Sequence, residues 1–294
     1  MLADGADLLT TIQEHSSAGR IAIIGGERYD ETITHSRLHH ATLAIRSYLD
    51  CLHIENIATA VYLENRWEIF AFYLGVRLHG GFVKILDYNA PEEKLAMDFT
   101  GCQLVLCSGR DLVKIFRCTL EKNVKLIVIP PAHMPFNAIS MDEVLRIRLN
   151  RSLPQYSVSF SQKYSRLLQT TVSSVVGSTW NPRNSMCALI APLHRQLQFD
   201  IAMSCVLLGL PVVLVDIRHM ERFVQFAGKQ GIDIISIDEF SLFPLHFKCK
   251  GGLPTVKAVF IDGKLNDFMK KVLPELFPKA RSIKEVTDDV ACKL

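Results

Sequence analysis

The sequence predicts an α/β protein built as two αβ lobes, each with a mostly parallel sheet packed between helices. Short β-branched runs alternate with longer amphipathic stretches along most of the chain, the rhythm of βα layering. Several of the β runs are solidly apolar rather than alternating, as strands covered on both faces are. The balance of 49% apolar and 21% charged residues over 294 positions supplies a sizeable buried core and excludes a disordered or fibrous chain.

Taken in order, strands are expected at residues 21–24, 58–63, 82–86, 104–107, 125–129, 186–191, 211–215, 232–237 and 257–261. Helices are expected at 36–52, 66–78, 91–98, 109–120, 141–149, 164–177, 198–208, 220–229 and 266–277. Thr34 and Ser140 are placed to cap following helices through a side-chain oxygen, and Glu143 completes a capping box with Ser140. Gly25-Gly26 reads as a hairpin turn rather than a nucleotide-binding start. The proline-rich segment 130–137 and the polar stretch 150–155 frame a boundary. One lobe is therefore expected over residues 1–150 and the second over 151–294.

Charge and cysteine usage narrow the function classes. Lys plus Arg number 33 and Asp plus Glu 30, so the net charge is +3 without a long basic block, and nucleic acid is not an expected partner. The longest near-continuous apolar run, 205–217, is interrupted by Gly209 and Pro211 and is too short for a membrane span. The acidic start, Met1 to Asp7, lacks the order of a secretory signal, which points to a cytoplasmic protein. Eight cysteines show no CxxC spacing and sit mostly within apolar runs, as reduced, buried thiols do.

Isolated features carry little chemistry by themselves. His35, His39 and His40 include an i, i+4 pair but read as a solvated helix start, and His194 reads as structural. The hydroxyl-rich stretch 170–179 keeps helical spacing and has no Lys. The Phe-rich segment 240–247 is either a partner-facing patch or packing beneath a loop. Asp87 and Asp216 follow β runs, at the strand ends where α/β sites usually form.

Several motifs in order resemble the acyl-adenylate-forming superfamily of acyl-CoA synthetases, aryl-acid ligases and peptide-synthetase adenylation domains. Thr34-His35-Ser36-Arg37-Leu38 is similar to its Thr-Tyr-x-x-Leu helix start, and residues 57–68 to its Val-Ala-x-x-Leu-x-Asn-x-x-Glu strand and turn. Residues 79–87, ending in Leu86-Asp87, resemble Ala-Gly-Ala-x-x-x-Pro-Leu-Asp, and Pro91-Glu92-Glu93-Lys94-Leu95 follows as Pro-x-Glu-x-Leu. In the second lobe, residues 186–200 resemble the Pro-Leu-x-His-x-x-Gly segment that borders the family's carboxylate pocket. Residues 253–263 resemble the strand into its adenine-side Gly-Gly turn. The resemblance implies the fold of the first two subdomains of the family's N-terminal domain. It implies a remnant acyl pocket at Pro192, Leu193, His194, Arg195 and Gln198, and a remnant adenine and Mg site at Asp262, Gly263, Lys264, Thr287 and Asp288. AMP, or ATP with Mg, is the implied cofactor.

The departures from that pattern shape the functional expectation. No Gly lies between Ser152 and Val176, where the family has a Gly-rich loop ending in Pro-Lys-Gly that cradles the ATP phosphates. Arg195 and Gln198 stand where an acyl group would enter, disfavouring an apolar pocket. The chain ends at Leu294, so the mobile domain carrying the family's catalytic Lys is expected to be missing. The expected protein is a degenerate, catalytically silent relative that acts as a binding or scaffolding partner, with a protein or a second copy covering the truncated face. The alternative is the acid-binding half of a split ligase, completed by another chain. No catalytic residue is assigned.

Overall fold

Parallel pairing dominates both sheets of the computed structural model, which describes residues 8–25, 29–120, 122–130, 137–147 and 185–286. In chain order the strands are β1 (Ile21–Gly25), β2 (Glu31–Thr34), β3 (Ala58–Tyr62), β4 (Phe82–Ile85), β5 (Leu104–Ser108), β6 (Lys125–Ile129), β7 (Ala138–Ser140), β8 (Cys187–Leu189), β9 (Val212–Leu214), β10 (Ile234–Asp238), β11 (Ala258–Asp262) and β12 (Ser282–Val286). The helices among the described residues are α1 (Leu8–Ser17), α2 (His35–Cys51), α3 (Glu68–Leu78), α4 (Glu92–Asp98), α5 (Leu112–Thr119), α6 (Met141–Leu145), α7 (Gln196–Leu208), α8 (Met220–Gln230), α9 (Glu239–Lys248) and α10 (Asp267–Leu276). None of them is long and apolar enough to cross a membrane. The chain groups into two units, Met1–Leu9 with Arg37–Ser159 and Thr10–Ser36 with Phe160–Leu294.

The first unit carries a five-stranded parallel sheet in the order β4-β3-β5-β6-β7. Its central strands β5 and β6 are buried at nearly every position, which is why they read as unbroken apolar runs. One face packs Ala60, Tyr62, Val105 and Leu126 against Leu95 and Phe99 of the α4 segment and Ile115 of α5. α3 buries nine of its eleven residues, so it is apolar nearly all round. At Ser140 the expected capping box is present: Asp142 N donates to Ser140 Oγ, and Ser140 N donates to Glu143 Oε2.

The second unit carries a seven-stranded sheet in the order β12-β11-β10-β8-β9-β1-β2. Only the β1–β2 hairpin is antiparallel, with Gly25 opposite Glu31, while β1 itself runs parallel to β9. Residues 10–36, expected within an N-terminal lobe of 150 residues, thus contribute two strands to the sheet formed by the later segment. The reason lies at the end of α7, which buries eleven of its thirteen residues. The carbonyls of its last turn need partners inside the protein. His15 Nε2 lies 2.8 Å from Leu207 O, and His35 Nε2 lies 3.0 Å from Val206 O. Arg20 Nη1 is 2.9 Å from His15 Nδ1; a guanidinium only donates, so His15 carries its proton on Nε2 and is neutral. Gly209 then ends the helix at φ +70°, and a Cβ there would lie 2.4 Å from Arg20 Nη1.

These contacts correct one expectation. His35 is fully buried rather than part of a solvated helix start, and both ring nitrogens face carbonyl oxygens, so it is not a metal ligand. The Phe-rich segment forms helix α9, which buries Leu242 and Leu245 and exposes Phe240, Phe243 and Phe247. The helix expected at 164–177 and the boundary at 150–155 lie outside the described residues.

Two measurements test the α7 cap. Gly209→Ala forces a left-handed backbone on a residue with a Cβ and lowers stability by about 1–2 kcal/mol. Gly228→Ala, in the interior of α8 with open space around it, raises stability by about 0.5–1 kcal/mol; urea unfolding midpoints read both. Burial holds the pKa values of His15 and His35 below the ordinary 6.5. The unfolded chain therefore binds more protons than the native one below that value, and stability falls as pH drops through 6.5. Unfolding midpoints should decline between about pH 7 and 5, and His15→Gln should flatten the decline.

Candidate functional site

The second sheet reverses direction between β8 and β10. The chain passes from β8 to β9 on one side, then crosses to β10 on the other and continues outward through β11 and β12. In open α/β sheets, ligands bind outside the carboxyl ends of the strands at such a reversal. Here that place is built from the loop after β8, which leads to Arg195 just before α7, and from Asp238 and Asp262, the last residues of β10 and β11.

Arg195 ties these elements together. Its Nε is 3.4 Å from Asp238 Oδ2 and its Nη1 is 3.3 Å from Asp262 Oδ2. The guanidinium also lies 5.6 Å from the centre of the Phe240 ring. Asp238 has a side chain only 2% exposed, and it carries a second duty: Ser241 N donates to its Oδ1 at 2.8 Å, capping α9. One guanidinium against two carboxylates leaves this ion network at −1.

Behind the mouth sits Gln198, fully buried on the first turn of α7. Ser236 Oγ of β10 donates to its Oε1 at 2.8 Å, while its Nε2 has no hydrogen-bond partner among the described residues. Gln196 Nε2 donates to Asp200 Oδ1 at 2.8 Å, and Asp200 is buried. The first turn of α7 thus carries one buried amide, Gln198, alongside the buried Leu197 and Phe199.

The residues named from sequence separate into three groups. Arg195 and Asp262, one from each expected remnant, meet in the same ion network. Leu193 is buried, Pro192 and His194 are half-buried beside them, and Gly263 turns the chain after β11 at φ +118° with the exposed Lys264 following. Thr287 and Asp288 lie outside the described residues. Asp238 was not among the expected site residues, although the reasoning that marked Asp87 and Asp216 applies to it equally: an acid directly after an apolar run. Asp216 is engaged locally, accepting from Arg218 N at 2.9 Å, from the Arg218 guanidinium and from His219 Nδ1 at 3.1 Å. Burial raises its pKa, but the Arg218 and His219 contacts outweigh that and hold the carboxyl below its ordinary value.

In the first unit, the same kind of reversal between β3 and β5 is filled by its own side chains. Lys114 Nζ donates to Tyr62 OH at 2.7 Å, Tyr62 OH donates to Tyr88 O at 2.6 Å, and Tyr88 OH donates to the Asp111 carboxylate. Asp87 accepts from Asn89 N at 2.9 Å and shapes the turn after β4.

No protein-family model and no curated protein matches the sequence. Solved structures do match its fold. A protein designated a long-chain-fatty-acid CoA ligase from Rhodopseudomonas palustris superposes with a TM-score of 0.72 at 13% identity, over 94% of this chain and 74% of its own. The luciferase-like enzyme of the nonluminescent mealworm Zophobas morio gives 0.72 at 13%, over 94% and 69%. O-succinylbenzoate coenzyme A synthetase (MenE) from Bacillus subtilis, in complex with ATP and magnesium ion, gives 0.69 at 13%, over 97% and 60%. At this identity the match shows the fold alone: an α/β fold with parallel sheets like that of adenylate-forming enzymes.

Removing the guanidinium tests how the mouth is held. Arg195→Met leaves Asp238 buried opposite Asp262 without a counter-charge and costs about 2–4 kcal/mol in urea unfolding. Asp262→Asn in the same chain relieves the repulsion and recovers part of that loss, a non-additivity that a double-mutant cycle measures.

Proposed function

We propose that this chain is a protein of adenylate-forming fold that does not form acyl adenylates and acts by binding, through a protein partner or a second copy of itself. The observation that supports this reading is the Arg195 bridge between Asp238 and Asp262 at the strand-end mouth. Adenylation brings a carboxylate and a triphosphate to one place and requires cationic stabilisation of the charge that develops there. In this network the one guanidinium is shared between two carboxylates, so it offers no surplus positive charge to either reactant.

A bound nucleotide with Mg is a poor fit to the same residues. The Asp262 carboxylate is engaged by Arg195, so it is not free to serve as a hard oxygen ligand. Lys264 is exposed, and the sequence between Ser152 and Val176 holds no Gly for a phosphate-cradling turn. The remaining candidates for an adenine remnant are Asp262, Gly263 and Lys264 with Thr287 and Asp288. Those for an acid remnant are Pro192, Leu193, His194, Arg195 and Gln198.

The test is carboxylate-dependent exchange of pyrophosphate into ATP by the purified chain, over a panel of aliphatic and aryl acids. Exchange is expected to stay at the enzyme-free level with every acid, and Mg-ATP should bind no more tightly than AMP in a calorimetric titration. Exchange that depends on an added acid would overturn the proposal.

A further inference from the structure

The opposite end of the second sheet carries its own group of charged residues. Asp233, Lys257 and Arg281 each immediately precede a strand, and the strands they lead into are in register: Ile234 pairs with Ala258, and Ala258 with Ser282. Neighbouring strands lie about 4.8 Å apart, so the three charged residues form one row across the sheet end. Backbone bonds fix that row. Lys257 N donates to Asp233 O, and Arg281 N donates to Lys257 O, both at 2.8 Å.

This row lines a hollow of about 700 Å³, together with Lys279, Thr255 and Gln230, the last residue of α8. Thr255 Oγ1 accepts from Ile232 N at 3.1 Å, which pins the turn on that side. Lys257 Nζ lies 2.5 Å from Asp233 Oδ1. Three cations against one carboxylate give the lining a charge of +2.

We infer that this hollow is a binding site for a multiply anionic small molecule of the polyphosphate class. Its volume falls in the range of about 300–1,000 Å³ typical of small-molecule sites, larger than a single phosphate requires. Lys257 and Arg281 stand a strand apart in the row and Lys279 joins them in the lining, a spacing of positive charge that matches a di- or triphosphate. The hollow lies at the amino ends of β10, β11 and β12, and the Arg195 mouth at their carboxyl ends. It is therefore independent of whether the mouth ever accepts a nucleotide.

The experiment is calorimetric titration of the full chain with inorganic tripolyphosphate, a probe with neither base nor carboxyl group. Saturable single-site binding is expected. Lys279→Ala with Arg281→Ala should weaken it about tenfold or more, and Lys250→Ala with Lys271→Ala, the same charge loss elsewhere, should leave it unchanged. Asp233→Asn, which removes the one carboxylate of the lining, should tighten it. The inference is overturned by absence of saturable binding, by equal losses in the two double variants, or by failure of Asp233→Asn to strengthen binding.

Discussion

The last turn of α7 is the constraint on which the second unit depends. A helix buried along nearly its whole length cannot leave its final carbonyls facing apolar side chains. Two histidines from residues 10–36 meet that need, and Gly209 supplies the left-handed exit that lets them approach. The β1–β2 hairpin belongs to this sheet because α1, β1 and the start of α2 are held at the end of α7. The other end of the same helix carries Arg195 and Gln198. Over thirteen residues, about 20 Å, one rigid element links the cap to the mouth.

Charge is arranged along the strands of this sheet as well as across them. Asp216, Asp238 and Asp262 stand at or just beyond carboxyl ends, whereas Arg20, Asp233, Lys257 and Arg281 precede amino ends. Most of these groups are tied to neighbours: Asp238 to Arg195 and Ser241, Asp216 to Arg218 and His219, Lys257 to Asp233. A buried ion pair rarely adds much net stability, because desolvation offsets most of its attraction. What it fixes is geometry, since each partner becomes costly to leave alone. The side chains at the mouth are consequently tied to one another, and the charged row at the other end is set by strand register.

Much of this fold was legible in residue pattern, because centrally placed parallel strands such as Lys125–Ile129 and Ile234–Asp238 are apolar on both faces and stand out from their surroundings. The strands that escaped notice, β2, β7 and β12, lie at sheet edges, are short or carry exposed polar positions, and have no such signature. Helix α9 was hidden by the phenylalanines on its outward face, which erase the amphipathic period, and by Pro244 within it. The ordered motifs of the adenylate-forming resemblance agreed with the architecture across both units. They marked Arg195 and Asp262 as separate remnants; that the two touch, and that Asp238 joins them, depends on strand order, which periodicity does not encode.

The choice of arginine at position 195 follows from what surrounds it. Its Nε and Nη1 reach two different carboxylates, from β10 and β11, while its planar face lies over Phe240. A lysine presents one compact, strongly hydrated charge, which can sit beside Asp238 or beside Asp262 but does not span both while stacking on a ring. Phe240 is 68% exposed, so the guanidinium covers part of an aromatic surface that would otherwise face water. The same three contacts hold the loop after β8 against β10 and β11.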